Sequence, residues 1–85
     1  MDRIAILTEL KKVLAPYTEN KELLNGITEE TDLIADLKIN SANLVDIIID
    51  AETVYSIEID FDSAEKMFLV GNCIDVIADK MNQSA

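Results

Sequence analysis

The chain contains no histidine, no tryptophan, one cysteine, one proline and two glycines among its 85 residues. Without histidine it lacks the side chain that most often serves as a base near neutral pH. With Cys73 alone, an internal disulfide is impossible, which fits a reducing compartment such as the cytoplasm. Long apolar runs are missing as well. Asp46 interrupts the most apolar stretch, so no segment is expected to span a membrane, and no secretory leader is legible. Cations are scarce: 7 Lys and Arg stand against 17 Asp and Glu, a net charge of −10. That balance argues against a nucleic-acid partner, whose phosphates would be repelled, and favours soluble partners with basic patches.

The length suits one small domain over 1–85 with a single core and no room for a separate catalytic unit. Ile4, Leu7, Leu10 and Leu14 predict a first helix from about Arg3 to Leu14, capped by Asp2 and stopped by Pro16. A long polar connection follows to about Ala35. Leu23, Leu24, Ile27, Leu33 and Ile34 are placed to pin it onto the core. A second helix is expected from about Ser41 to Val54, with Leu44, Ile47, Ile48, Ala51 and Val54 facing inward. The stretch from Tyr55 to Phe61 alternates weakly but has no second strand to pair with, so it reads as an extended connection. A short helical turn at Ser63–Met67, capped by Asp62 or Ser63, precedes a last helix from about Val70 to Met81. Residues 82–85 read as a frayed tail. The expected class is all-α: a small four-helix bundle of three longer helices and one short one, with a long first loop.

Ser41 stands where a polar loop turns into an apolar helical run. A hydroxyl at the first turn of a helix is exposed, and a phosphate attached there would meet free backbone amides and the positive end of the helix dipole. No base in the sequence makes this serine an attacking group. It reads instead as a place where another enzyme attaches something.

Four spaced segments extend that reading. Asn40-Ser41-Ala42 resembles the Asp-Ser-Leu triplet of acyl carrier proteins, and Ser56-Ile57-Glu58-Ile59-Asp60 resembles their Ile-Glu-Ile-Pro connection. Ser63-Ala64-Glu65-Lys66-Met67 is similar to their Ala-Glu-Lys-Ile short helix, and Val70-Gly71-Asn72-Cys73-Ile74-Asp75 to the opening of their last helix. The likeness runs from about Thr31 to Ile77 without a gap. It departs from the family at Lys38, which replaces the usual Gly, and at Asn40, Ala42, Thr53, Val54 and Asp60.

The resemblance implies a carrier that is not itself an enzyme, with 4′-phosphopantetheine joined to Ser41 by a phosphopantetheinyl transferase. Acyl groups of lipid or fatty-acid-type biosynthesis would ride on that arm. Basic patches of the processing enzymes would meet Asp36, Asn40, Val45, Asp46, Ile49, Asp50 and Glu52. Ile47, Ile48, Ala51, Ile59, Ala64, Met67 and Ile74 would shelter the acyl chain, although an ordinary bundle core contains the same residue types. The altered flanks of Ser41 suggest a specialised carrier, expected to be a monomer.

Two other readings compete. A carrier-like bundle whose apolar second helix binds a partner or a second copy is one. An acidic helical protein holding a divalent cation near Asp60, Asp62 and Glu65 is the other, though it lacks a calcium loop with a central Gly. Cys73, on an apolar helical face without nearby cations, reads as an inert buried thiol.

Overall fold

α1 (Arg3–Leu14) starts where the Asp2 carboxylate accepts a hydrogen bond from the Ala5 amide at 2.7 Å, satisfying one of the donors a helix leaves free at its first turn. This is seen in a computed structural model that describes residues 2–84, with side-chain detail through residue 82. The buried stripe of α1 is Ile6, Leu10, Val13 and Leu14. Ile4, expected on that stripe, is 77% exposed, because Ile6 rather than Ile4 shares a face with Leu10 and Leu14.

The connection after α1 is not a bare loop. Lys21–Gly26 forms a 3₁₀ turn capped by the Asn20 side chain, and Leu24, Ile27 and Leu33 are buried beneath it. Leu23 and Ile34 stay largely outside. A second 3₁₀ turn, Ser41–Asn43, feeds α2 (Leu44–Tyr55), whose buried residues are Ile47, Ala51 and Tyr55. Val54, expected inward, faces solvent; the helix runs one residue further and Tyr55 takes the inward place. The Tyr55 hydroxyl donates to the Ile6 carbonyl at 2.8 Å, tying the end of α2 to α1, and burial pushes this phenol well above its usual range.

Ser56 ends α2 in the left-handed conformation at φ 55, and the Ile57 amide reaches back to the Glu52 carbonyl at 3.1 Å. Residues 57–60 then form neither helix nor strand, and Asp60 at their end is extended. α3 (Phe61–Ala64) is shorter and earlier than the sequence suggests, and Asp60 rather than Asp62 or Ser63 caps it. Asp60 lies three residues before Ser63, the spacing its carboxylate needs to reach the Ser63 amide at 3.2 Å. α4 (Val70–Ser84) carries on past Met81 and takes in residues 82–84; Ala85, the last residue of the expected tail, lies outside the described residues. α1 packs against α4 and α2, and α2 against α4.

One feature is not visible in any single segment. Asp32 and Leu69 form an isolated antiparallel bridge, with the Leu33 amide on the Phe68 carbonyl at 3.0 Å and the Val70 amide on the Thr31 carbonyl at 2.9 Å. It joins the first loop to the start of α4. Beside it Gly71 donates to the Glu29 carbonyl at 2.8 Å, and Arg3 reaches both Glu29 and Asp75 across the same junction. These exposed ion pairs fix geometry more than they add stability.

Gly71 should resist substitution. A Cβ there would lie 2.9 Å from the Glu29 carbonyl oxygen, whereas one at Gly26 meets nothing within 4 Å. Urea titration should show Gly71→Ala destabilised by about 1–3 kcal/mol, the range for forced overpacking. Gly26→Ala should be neutral or slightly stabilising; equal costs at the two sites would contradict the close approach.

Candidate functional site

The approach to Ser41 is pinned on both sides of a bend. Leu37 and Ile39 are each only 1% exposed. The Thr18 hydroxyl donates to the Leu37 carbonyl at 2.6 Å, and the Ile39 amide donates to the Leu33 carbonyl at 3.2 Å. Between them Lys38 takes φ 58 with its side chain exposed. A left-handed residue other than glycine costs roughly 1–2 kcal/mol, because Cβ crowds the following carbonyl. The usual glycine of the resembling motif has a physical reason at this position, and this chain does without it.

Asn40 follows in extended conformation, and its side-chain oxygen accepts from the Ala42 amide at 2.9 Å. The Asn40 carbonyl accepts from the Asn43 amide at 2.8 Å. Ser41 is therefore the first residue of its turn and is exposed; among the described residues its hydroxyl has no hydrogen-bond partner. The expectation of free amides fails at Ala42 and Asn43, because Asn40 caps both with its own oxygens.

Seven residues were expected on the docking face. Val45 (63% exposed), Asp46 and Ile49 (53%) project outward together at one-turn spacing, with Asp46 in the first turn where its charge complements the helix dipole. The other four have work inside the fold. Asn40 is the cap just described. The exposed Asp36 accepts from the Asp32 amide at 2.8 Å. Asp50, half-buried, accepts from the Tyr17 hydroxyl at 2.5 Å, and that bond, helped by burial, pushes the Tyr17 phenol up to about 12. Glu52, also half-buried, accepts from the Ile59 amide at 2.9 Å and so holds the connection after α2.

Of the residues expected to shelter an acyl chain, Ile47, Ala51, Met67 and Ile74 are buried in the core, and Ile48 and Ile59 pack against it. Ala64 is half-buried outside that cluster. An open cleft of about 950 Å³ lies elsewhere, lined by Glu52, Ser56, Ile57, Glu58, Ile59, Asp60 and Lys80. Its walls carry more charge than grease, and Ile59 is its one residue from the expected lining. Lys80 crosses it to Asp60 at 2.7 Å. This pair, with the Ser63 hydroxyl and amide, holds the Asp60 carboxyl well below the usual carboxylate range. The Lys80 ammonium is raised in turn. Sequence reasoning missed the pair because Asp60 and Lys80 lie on different elements. The cap spacing from Asp60 to Ser63 was the part it could have found.

Cys73 is fully buried, and burial pushes its thiol up to about 12, far from a reactive thiolate at neutral pH. Among the described residues no three His, Cys, Asp or Glu side chains gather to hold a metal ion, and no helix is long and apolar enough to cross a membrane.

Two solved structures share this arrangement of helices and loops. One is an acyl carrier protein from Enterococcus faecalis, with TM-score 0.75 and 22% identity, over 94% of this chain and 99% of that one. The chain has the acyl carrier protein fold. The second is hexanoyl acyl carrier protein from the actinorhodin polyketide synthase of Streptomyces coelicolor, at TM-score 0.75 and 20% identity, over 89% and 90% of the two chains. No family model and no curated protein matches the sequence. The same fold is thus formed at only 20–22% sequence identity to these two structures.

Two substitutions test the geometry around this fold's bends. Lys38→Gly should raise stability by about 1 kcal/mol in urea titration, since relief of left-handed strain outweighs the added chain entropy. No gain would mean that residue 38 does not hold a positive φ. Asp60→Asn keeps a capping oxygen and removes the charge. Asp60 has a depressed carboxyl, so its contribution is fully present above the unfolded value near 4 and is lost progressively as pH falls from there through the lower folded value. The difference in Tm between the native chain and Asp60→Asn should therefore be clear at pH 6 and shrink progressively as pH is lowered from about 4 toward 2.

Proposed function

We propose that the protein is an acyl carrier: it receives 4′-phosphopantetheine on the Ser41 hydroxyl and presents acyl groups to a succession of enzymes, without catalysing a reaction itself. The observation that carries this reading is the exposed, unbonded Ser41 hydroxyl at the opening of the second helix of a carrier fold. The residues present suit the group. The hydroxyl faces solvent, the preceding bend is rigidly anchored, and among the described residues no side chain bonds to the oxygen. When attached, the arm supplies a terminal thiol that holds the cargo as a thioester. Tethering gives each enzyme a high effective concentration of substrate without tight binding.

The docking role falls chiefly to Val45, Asp46 and Ile49, an apolar centre with a charged edge. Charge at the rim speeds encounter and sets orientation while adding little affinity, which suits a protein that must leave each enzyme in turn. Asp36, Asn40, Asp50 and Glu52 contribute to the same face while bonded within the fold. An acyl chain would enter between α2 and the segment from Ile59 to Ile74 by parting Ile47, Ile48, Ala51, Ala64 and Met67. Each methylene sheltered is worth about 0.8 kcal/mol. Lipid or fatty-acid-type synthesis in the cytoplasm fits the fold, the lone buried thiol and the acidic surface.

Incubation with coenzyme A and a broad-specificity phosphopantetheinyl transferase, followed by intact mass measurement, tests this directly. The native chain should gain one phosphopantetheine and Ser41→Ala none. Asp46→Lys should slow the modification several-fold with unchanged helix content. No mass gain with any transferase, together with a concentration-dependent dimer, would instead select an interaction module built on the exposed α2 face.

A further inference from the structure

Between Lys21 and Lys66 the chain has one cation, Lys38, three residues before Ser41. Its neighbours Leu37 and Ile39 are both locked into the core, so the backbone at 38 is fixed and its side chain has only solvent to enter. Among the described residues no carboxylate pairs with it, so its charge is not spent inside the fold. The left-handed φ of 58 would suit glycine better, so the lysine is carried here against the preference of the backbone. Around Ser41 the exposed charges therefore run negative at Asp36, positive at Lys38 and negative at Asp46.

We infer, building on the carrier reading, that Lys38 determines which proteins dock around Ser41. It disfavours a partner whose contact surface is uniformly basic. It favours one that sets basic groups against Asp36 and Asp46 and an acidic side chain against Lys38. Discrimination of this kind uses repulsion as well as attraction: a like charge placed at a contact penalises the wrong partner while an opposite charge selects the right one. Lys38 is exposed three residues before the attachment point on a backbone held by its buried neighbours, so its charge is met by partners that must reach the Ser41 hydroxyl.

A transferase with a uniformly basic docking face serves as the probe. Its kcat/KM for phosphopantetheine transfer is compared for the native chain, Lys38→Gln, Lys38→Glu and Lys38→Gly, at low ionic strength and again near 0.5 M salt. Lys38→Gln and Lys38→Gly should both run about threefold faster than the native chain and Lys38→Glu about tenfold faster, with the gains collapsing in high salt. Agreement between Gln, which keeps the strained backbone, and Gly, which relieves it, assigns the effect to charge. The Kd of the transferase for each variant in a Ser41→Ala background, without coenzyme A, should follow the same order. Equal rates across the series overturn the inference and leave the carrier reading standing. A slower Lys38→Glu also overturns it, by showing that the ammonium aids the phosphate of the arm instead. A series in which neither the native chain nor any Lys38 variant takes up phosphopantetheine overturns both.

Discussion

The structure depends on the burial of Leu33, Leu37 and Ile39, three side chains from a polar segment that belongs to no helix. Each contributes about 1.5–3 kcal/mol by leaving water, and together they outweigh the roughly 1–2 kcal/mol of strain at Lys38 that lies between two of them. The Thr18 hydroxyl on the Leu37 carbonyl closes the arrangement from the far end of the loop. Because these anchors hold the chain up to residue 39, Asn40 is positioned to cap and Ser41 is delivered outward at the mouth of α2. Loss of the anchors would weaken the shared core and leave the serine without a fixed address.

Helices α1, α2 and α4 were readable because their apolar residues recur at helical spacing, and the capping role of Asp2 followed from its type and place. The face of α1 was misjudged at Ile4, since a stripe of three- and four-residue steps can be started from more than one residue when Ile4 and Ile6 both stand near its beginning. Asp60 capping α3 was missed because two further candidates, Asp62 and Ser63, follow within three residues. The bridge of Asp32 with Leu69 and the pair of Asp60 with Lys80 join distant segments, and no local pattern encodes them. At the site itself, the exposed position of Ser41 followed from sequence. The internal bonds of Asp50 and Glu52 did not, because Tyr17 and Ile59 reach them only after folding.

Acidic side chains serve two separate purposes here. Asp2, Asp32, Asp36, Glu52 and Asp60 accept hydrogen bonds from backbone amides at turns and helix starts, replacing water for donors that have no other partner. Among the described residues Asp46 has no such task, and its side chain is exposed. The high negative charge therefore does not translate into an equally large docking surface. Much of it is structural mortar for a chain with few glycines and one proline, in which carboxylates shape the bends.

The sealed thiol of Cys73 gives the molecule a built-in reporter. Fully enclosed on α4 and held far from ionisation, it is out of reach of alkylating reagents while the helices stay together. In the chain without the arm, its labelling rate thus reads out how often the packing around the start of α4 opens to solvent.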